Sequence, residues 1–316
     1  MPTRILLARD HDPYALRSGL RAGALERVRR GAYRAVDGVE PSTATERATL
    51  ARSGVVDRAH AVHAGLRTLH WFSHATAAVL HGLPVWRLPE DVHLTQHYRA
   101  SSRAAADVRR HTLPVVPGQR DVAAGLPVTS LARTVADCAT TLPALDGLVV
   151  ADAALRRGAD REEVREIVAR RYRGGARGAV LVELADTGAE TPWETWLRYV
   201  ALWAGLPRPE TQVEVVTRIG TFRVDLGWPE HGVLAEYDGL VKYRDGELAP
   251  GYRGADALVA EKRRHDAITE ATGVAPFRVT SRDAGDVDDV ARRLLRRFPP
   301  HVRHDARRRP PLTRPG

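Results

Sequence analysis

Apolar residues along this 316-residue chain change their spacing several times, and the changes divide it into segments. Leu16 and Leu20 recur at i, i+4 behind Asp12-Pro13, a capping residue followed by a first-turn proline, and Gly23 supplies a stop. That pattern predicts a short helix, with Arg17 and Arg21 on the neighbouring face. The stretch LERVRRGAYRAV then alternates about Arg30-Gly31, as a hairpin does, with Arg27, Arg29 and Arg30 along it. Residues 3–37 therefore read as a small helix-turn-helix with a wing.

Residues 41–189 read as a mixed α+β connector. Ser73 can cap a helix running to Leu80, and Val92-His93-Leu94-Thr95 alternates like a strand. Further helices start at Thr129 or Ser130 and at Asp160, the last ending near Arg173-Gly174-Gly175. His74 and His81 lie seven apart on one helix face, but the pattern supplies no third ligand, so they read as structural histidines.

Residues 190–298 carry the sharpest pattern. Thr191-Pro192-Trp193-Glu194 has capping-box spacing, and Trp196, Leu197, Val200 and Trp203 form an apolar stripe ending at Gly205. Val213 and Val215, then Phe222, Val224 and Leu226, alternate about a turn near Gly220. Gly232 to Tyr237 is a continuous apolar run, as a central strand would be. A charged helix over 256–272, a strand over Phe277 to Thr280 and a helix over Asp286 to Phe298 complete the order α-β-β-β-α-β-α.

Composition narrows the classes. With 43% hydrophobic residues the chain can bury real cores, and charged residues interrupt every stretch long enough to span a membrane. The first ten residues show no cleavage-site pattern, and the single cysteine, Cys138, allows neither an internal disulfide nor a cysteine zinc site. A cytoplasmic setting without a membrane partner is expected. Residues 1–189 carry 27 basic and 20 acidic side chains, residues 190–290 carry 12 and 18, and residues 291–316 carry nine arginines against Asp305. A basic front, an acidic module and a basic tail fit a polyanion partner such as DNA, although the Arg- and Pro-rich tail, 299–316, reads equally as a solvated, disordered segment. Of the 48 basic residues only Lys242 and Lys262 are lysines, and both fall in the acidic module.

The candidate chemistry lies in that module. Asp225 stands off-phase with Phe222, Val224 and Leu226, and Glu236 ends the apolar strand two residues before Asp238. If the strands pair through the Pro229-Glu230-His231 turn, three carboxylates converge at one end of a sheet. Their repulsion is costly unless a divalent cation is held there, and an oxygen donor set suits Mg²⁺ or Mn²⁺. The bland alternative makes Asp238-Gly239 a turn and Glu236 an edge charge; Glu194 reads equally as a cap and as a catalytic accessory.

These residues carry a resemblance. Asp225, then Glu236-x-Asp238-Gly239, Lys242-Tyr243 and the helix Glu261-Lys262-Arg263-Arg264-His265-Asp266 resemble the restriction-endonuclease-like PD-(D/E)XK superfamily, in the branch of the very-short-patch-repair endonucleases. Trp193-Glu194-x-x-Leu197-Arg198 and Ala204-Gly205-Leu206-Pro207-x-Pro209-Glu210 fit the same branch. The first 40 residues, with Gly31-Ala32-Tyr33 at the wing, resemble the winged-helix head of AbiEi-type antitoxins from abortive-infection systems. The resemblance covers residues 3–40, 70–155 and 190–298. It implies a sheet flanked by helices, with Asp225, Glu236 and the Tyr237 carbonyl as ligands of a metal ion, and a toxin or other defence-system component as a protein partner. The chain departs from the superfamily at the E-x-K lysine, where Asp238 stands; Lys242 is the nearer substitute and Lys262 the other.

The expectation is an α+β protein: a winged helix-turn-helix over 1–40, a connector over 41–189, an endonuclease-like domain over 190–298 and a disordered basic tail over 299–316. Arg17, Arg21, Arg27, Arg29 and Arg30 would contact DNA. Asp225, Glu236, Asp238, Lys242, Glu194 and Lys262 would serve Mg²⁺-dependent hydrolysis of DNA phosphodiesters. The rival is a non-catalytic, antitoxin-type regulator with a degenerate nuclease fold.

Overall fold

The chain is α+β. A computed structural model describes residues 5–36, 41–99, 105–239 and 254–315, in which eleven α-helices and three sheets are found. No helix among these residues is long and apolar enough to cross a membrane.

The front comprises β1 (Leu6–Leu7), α1 (Pro13–Arg21), β2 (Leu25–Arg29) and β3 (Ala32–Ala35), the strands forming an antiparallel sheet in the order β1-β3-β2. Asp12 caps α1 by accepting from the Tyr14 and Ala15 N–H groups, and Gly31 turns the hairpin at φ 77°. The wing is as expected, and the helical part before it is short. Leu6 and Leu7 pair with β3, and Pro13 disfavours helix in the residue before it, so only the single 3-10 turn Ala8–Asp10 fits before α1.

In the middle, α2 (Ala44–Gly65) opens on the Thr43–Glu46 capping box. A five-stranded mixed sheet follows, built from β4 (Trp71–Phe72), β5 (Val92–Gln96), β6 (Val108–Thr112), β7 (Arg120–Ala123) and β8 (Leu126–Thr129), in the order β6-β5-β4-β8-β7. One face, with Phe72, Leu94 and Val128, packs on α2 and on α3 (His74–Leu80) through Ala59, Val62, Ala77 and Leu80. Four helices come next: α4 (Leu131–Thr141), α5 (Ala144–Arg156), α6 (Arg161–Ala169) and α7 (Gly175–Leu184).

The last part has α8 (Pro192–Trp203), β9 (Glu210–Thr217), β10 (Gly220–Trp228), β11 (Val233–Tyr237), α9 (Gly254–Thr272), β12 (Phe277–Val279) and α10 (Val287–Leu295), the element order read from the sequence. The sheet runs β12-β11-β10-β9, an antiparallel meander with β12 added parallel to β11. Position 189/190 does not divide the core. Leu148 and Val149 of α5, Trp196 and Val200 of α8, and Leu226 and Phe277 of the sheet belong to one apolar cluster. A buried ion pair crosses the same boundary: Arg198 of α8 donates to Asp152 of α5 at 2.6 Å, and Asp152 also accepts from the Thr195 hydroxyl and the Asp186 N–H.

The basic tail is ordered, which corrects the expectation of disorder. After α11 (Pro300–Asp305), Leu312 is buried in the main cluster and Arg308 lies 4.4 Å over the Trp203 ring. The Tyr199 hydroxyl donates to the Thr313 carbonyl at 2.8 Å, while Arg308 and Arg314 both pair with Asp288. Gly205 makes the docking feasible, because a Cβ there would collide with the Arg307 backbone. The arginines looked like solvated charge only because their partners lie far away in sequence.

Candidate active site

The site begins with an irregularity in the sheet. Strand β10 pairs with β9 at Val224↔Val213 and Leu226↔Thr211, skipping Asp225, and Gln212 opposite it stands at φ 53°. Such a conformation costs a non-glycine residue on the order of 1–3 kcal/mol and clusters at functional sites. The two sheet faces change over here. Val224 packs with Val215, Leu234 and Ile268 of α9, whereas Leu226 joins Trp228, Val233 and Ala235 on the side of α8 and α10. The expectation that Phe222, Val224 and Leu226 share one face therefore fails at Asp225. Freed from the ladder, the Asp225 carboxylate accepts the Tyr237 N–H at 2.7 Å.

Beside this break lies a cavity of about 380 Å³. Five carboxylates line it, those of Glu194, Asp225, Glu236, Asp238 and Glu261, against the two guanidinium groups of Arg264 and Arg278. Trp193 and Tyr237 also line it, their rings stacked with centroids 4.9 Å apart. The three carboxylates picked out by sequence thus meet, and Glu194 joins them.

Each acid is held differently. Burial pushes the Asp225 carboxyl up to about 7, and neighbouring Glu194 and Glu236 add to the shift; the Tyr237 N–H and Arg264 oppose it. Glu236 is only 4% exposed. Its Oε1 accepts from Arg264, and its Oε2 lies 3.5 Å from the Arg278 Nε without any hydrogen-bond partner. Asp238 is anchored by its N–H to the Val279 carbonyl at 2.7 Å, its side chain 3.9 Å from Arg278. Glu194 is the reciprocal partner of a cap: its N–H donates to the Thr191 hydroxyl oxygen, and its carboxylate accepts from the Glu190 N–H, the Thr191 hydroxyl and the Gln212 amide. Burial raises its pKa as well. It serves as a cap and forms part of the cavity wall.

Sequence reading missed the cations. Glu261 and Arg264 sit three apart on α9 and so share a helix face, a signal present in Glu261-Lys262-Arg263-Arg264. Arg278 enters because β12 pairs with β11 at Glu236↔Arg278, a contact without a local pattern. It also pairs with Glu261. Lys262 is exposed on α9 and does not line the cavity, which corrects its assignment; one helix position separates it from the face that does. Lys242 lies outside the described residues.

An oxygen-rich donor set suits a hard divalent cation, and the Oε2 of Glu236 accepts no hydrogen bond, its nearest cation being Arg278 at 3.5 Å. Asp225 can supply a second oxygen once it ionises. In an extended strand the N–H and C=O of one residue face the same neighbour, so the Tyr237 carbonyl faces the Asp225 side.

Of the front arginines, Arg17, Arg21, Arg27 and Arg30 are exposed. Arg29 is not free: it grips Asp107 with two hydrogen bonds of 2.9 Å, an interdomain clasp rather than a nucleic-acid contact.

No family model matches the chain. Two curated relatives from Mycobacterium tuberculosis are 36% identical to it over 118 residues: the uncharacterized protein MT2308 of strain CDC 1551 / Oshkosh and the uncharacterized protein Rv2248 of strain H37Rv. Each match covers 35% of this chain and 43% of the relative, so the chain spans less than half of their length. A solved structure, that of the RV2827C protein of M. tuberculosis, aligns over 57% of this chain and 71% of its own at 16% identity, with a TM-score of 0.35. That likeness is too slight to carry an argument.

Proposed function

We propose that the protein binds DNA and hydrolyses its phosphodiesters with Mg²⁺ or Mn²⁺ held by Asp225 and Glu236. The observation that carries this reading is the meeting of five carboxylates at one cavity, with a buried Glu236 oxygen that accepts no hydrogen bond. The bound ion would polarise the scissile phosphate and activate a water. Asp225 and Glu236 would hold it, with the Tyr237 carbonyl beside them, and Asp225 must first give up its proton. Arg264 and Arg278 are placed to receive the negative charge of a phosphate, and Trp193 and Tyr237 wall the cavity with apolar rings. The resemblance to PD-(D/E)XK nucleases supports the same reading. Lys242 remains the proposed replacement for the lysine that the E-x-K position lacks. Arg17, Arg21, Arg27 and Arg30 would supply duplex affinity through phosphate contacts. A cytoplasmic location and a toxin or defence-system partner belong to this proposal through the antitoxin resemblance alone.

A specific observation favours the second reading, a non-catalytic regulator. Arg264 and Arg278 already pair with Glu236, and could stand where the ion would. Incubation of supercoiled plasmid and single-stranded DNA with the full chain in Mg²⁺, Mn²⁺ or EDTA separates the two. Nicking that needs the metal and disappears in Asp225→Asn and Glu236→Gln supports the nuclease. Duplex binding with no metal-dependent cleavage, or cleavage that survives both substitutions, leaves the regulator.

A further inference from the structure

A second cluster of ligand-type side chains lies in the middle of the chain, away from the carboxylate cavity. His74 opens α3, His93 belongs to β5 and His111 to β6. The parallel pairing of β5 and β6 sets Thr95 against His111, so His93 and His111 are diagonal neighbours on one sheet face. The His93 Nδ1 and the His111 Nε2 are 3.2 Å apart. The His74 and His111 rings stack with centroids 3.7 Å apart, and one ring nitrogen from each of the three lies within 4.8 Å of the other two. His81, the partner suggested by the helix spacing, contacts the Thr129 carbonyl at 2.8 Å and stays structural.

Two further observations mark the place. His74 is held at φ 54°, a left-handed conformation that the first residue of a helix does not need and that strains a side chain-bearing residue. Thr95, two residues from His93 and therefore on the same face, is fully buried, and its hydroxyl has no hydrogen-bond partner.

We infer that His74, His93 and His111 form a site for a divalent transition-metal ion of the zinc class. Imidazole nitrogens suit Zn²⁺, and three protein ligands leave a fourth position for water. Tetrahedral Zn²⁺ with Zn–N bonds near 2.0–2.1 Å sets its ligand nitrogens about 3.3 Å apart. His93 and His111 already meet that spacing, and the His74 ring closes the set by moving in. The His74 Nδ1 lies 2.9 Å from the Ser73 hydroxyl, the outer partner that fixes the ring and leaves Nε2 to ligate.

Arginines surround the cluster, each paired with an acid, and their charge still acts on the imidazoles. Arg109 pairs with Asp91 at 3.4 Å, and Arg133 and Arg171 share one oxygen of Asp137. The other Asp137 oxygen is buried and unpartnered, and the carboxylate acts electrostatically on His111. A bound ion would clip the start of α3 to β5 and β6, three segments separated by long stretches of chain.

The test uses the full chain stripped with a chelator and titrated with Zn²⁺ by calorimetry, with Co²⁺ as a spectroscopic probe. The expected result is one Zn²⁺ per chain, a higher melting temperature, and a four-coordinate Co²⁺ spectrum. His93→Gln and His111→Gln should each weaken binding beyond the roughly 10–100-fold that loss of an outer partner costs. Asp225→Asn/Glu236→Gln should leave this uptake unchanged. A wild-type chain that takes up no Zn²⁺ overturns the site even if the histidine variants fail to fold. So does uptake that survives both histidine substitutions, or stabilisation by inorganic phosphate in place of Zn²⁺.

Discussion

The carboxylate cavity and the histidine cluster both gather titratable side chains from separate elements, and burial disfavours the charged form in both, with opposite consequences for a cation. In the cavity it works against charge: Asp225 is pushed up to about 7, and Arg264 and Arg278 offset the acids that remain. In the cluster burial favours the neutral ring, and the His111 ring stacks on those of His74 and His93. Desolvation raises acids and lowers bases. An acid site is therefore unready for a cation until it loses a proton, whereas an imidazole site is ready at neutral pH. Hard and borderline cations should divide between them accordingly.

The largest expected effect tests the frame on which the cavity hangs. Arg198→Ala would leave Asp152 buried without its cation and should cost about 3–5 kcal/mol in chemical denaturation. Because α8 carries Trp193 and Glu194, a variant this unstable should also lose metal binding at the cavity. A loss below about 1 kcal/mol would mean that the pair does not hold α8 in place.

Next in size is the pH response of the metal-free protein. Asp225 has a folded pKa of about 7 against an ordinary value of 3.8, so the unfolded chain ionises first and folding is progressively penalised as pH rises from about 4 to 7. Asp225→Asn removes that penalty. It should match the wild type near pH 3.5 and exceed it above pH 7, by on the order of 2–4 kcal/mol. Equal stability curves across the range would show that the carboxyl is solvated. His111 has the opposite sign: its folded pKa of about 3 lies below the ordinary 6.5, so stability is retained above about 6.5 and lost as pH falls towards 3. His111→Gln should flatten that acid limb.

Metal exchange sharpens the contrast further. Mg²⁺ at a hundredfold excess over its dissociation constant should stabilise the wild type by about 2.7 kcal/mol and do nothing for Asp225→Asn. Its affinity should rise with pH through about 7, and calorimetry in buffers of different ionisation enthalpy should register a released proton. Zn²⁺ at the histidines should release almost none. Equal proton release by the two ions would erase the distinction.

The smallest effect concerns the front. Replacing Arg17 and Arg21 by Ala should lower the salt slope of duplex binding by about 0.9 for each DNA phosphate no longer neutralised. Arg29→Ala should leave that slope unchanged and instead loosen the clasp on Asp107. A slope indifferent to Arg17 and Arg21 would move the DNA surface elsewhere.

Much of the architecture is legible in the sequence, because caps, turns and apolar periods are local. Thr191 to Glu194 announce α8, Arg30-Gly31 the wing, and the α-β-β-β-α-β-α order of residues 190–298 follows from alternation and helical stripes. Asp225, Glu236 and Asp238 stand out as acids at strand ends, which elementary electrostatics makes conspicuous. What misleads is also local. The tail reads as solvated because the partners of its arginines, Trp203 and Asp288, lie outside the segment. The apolar alternation reads as an unbroken face through Asp225, where the sheet changes sides.

In residues 190–298 the element order, the start of α8 and the choice of acidic residues were thus legible in the sequence alone, since each depends on neighbours within a few positions, whereas α2, α5, α7 and four strands of the middle sheet were not read from it. The tertiary structure decided which charges meet. Arg278 reaches Glu236 only through the register of two parallel strands, and Arg264 only through the rotation of α9. His74, His93 and His111 come together only when α3 is set against a sheet whose order runs β6-β5-β4. Such encounters join residues that share no period, and they become favourable only after the surrounding cores have removed them from water.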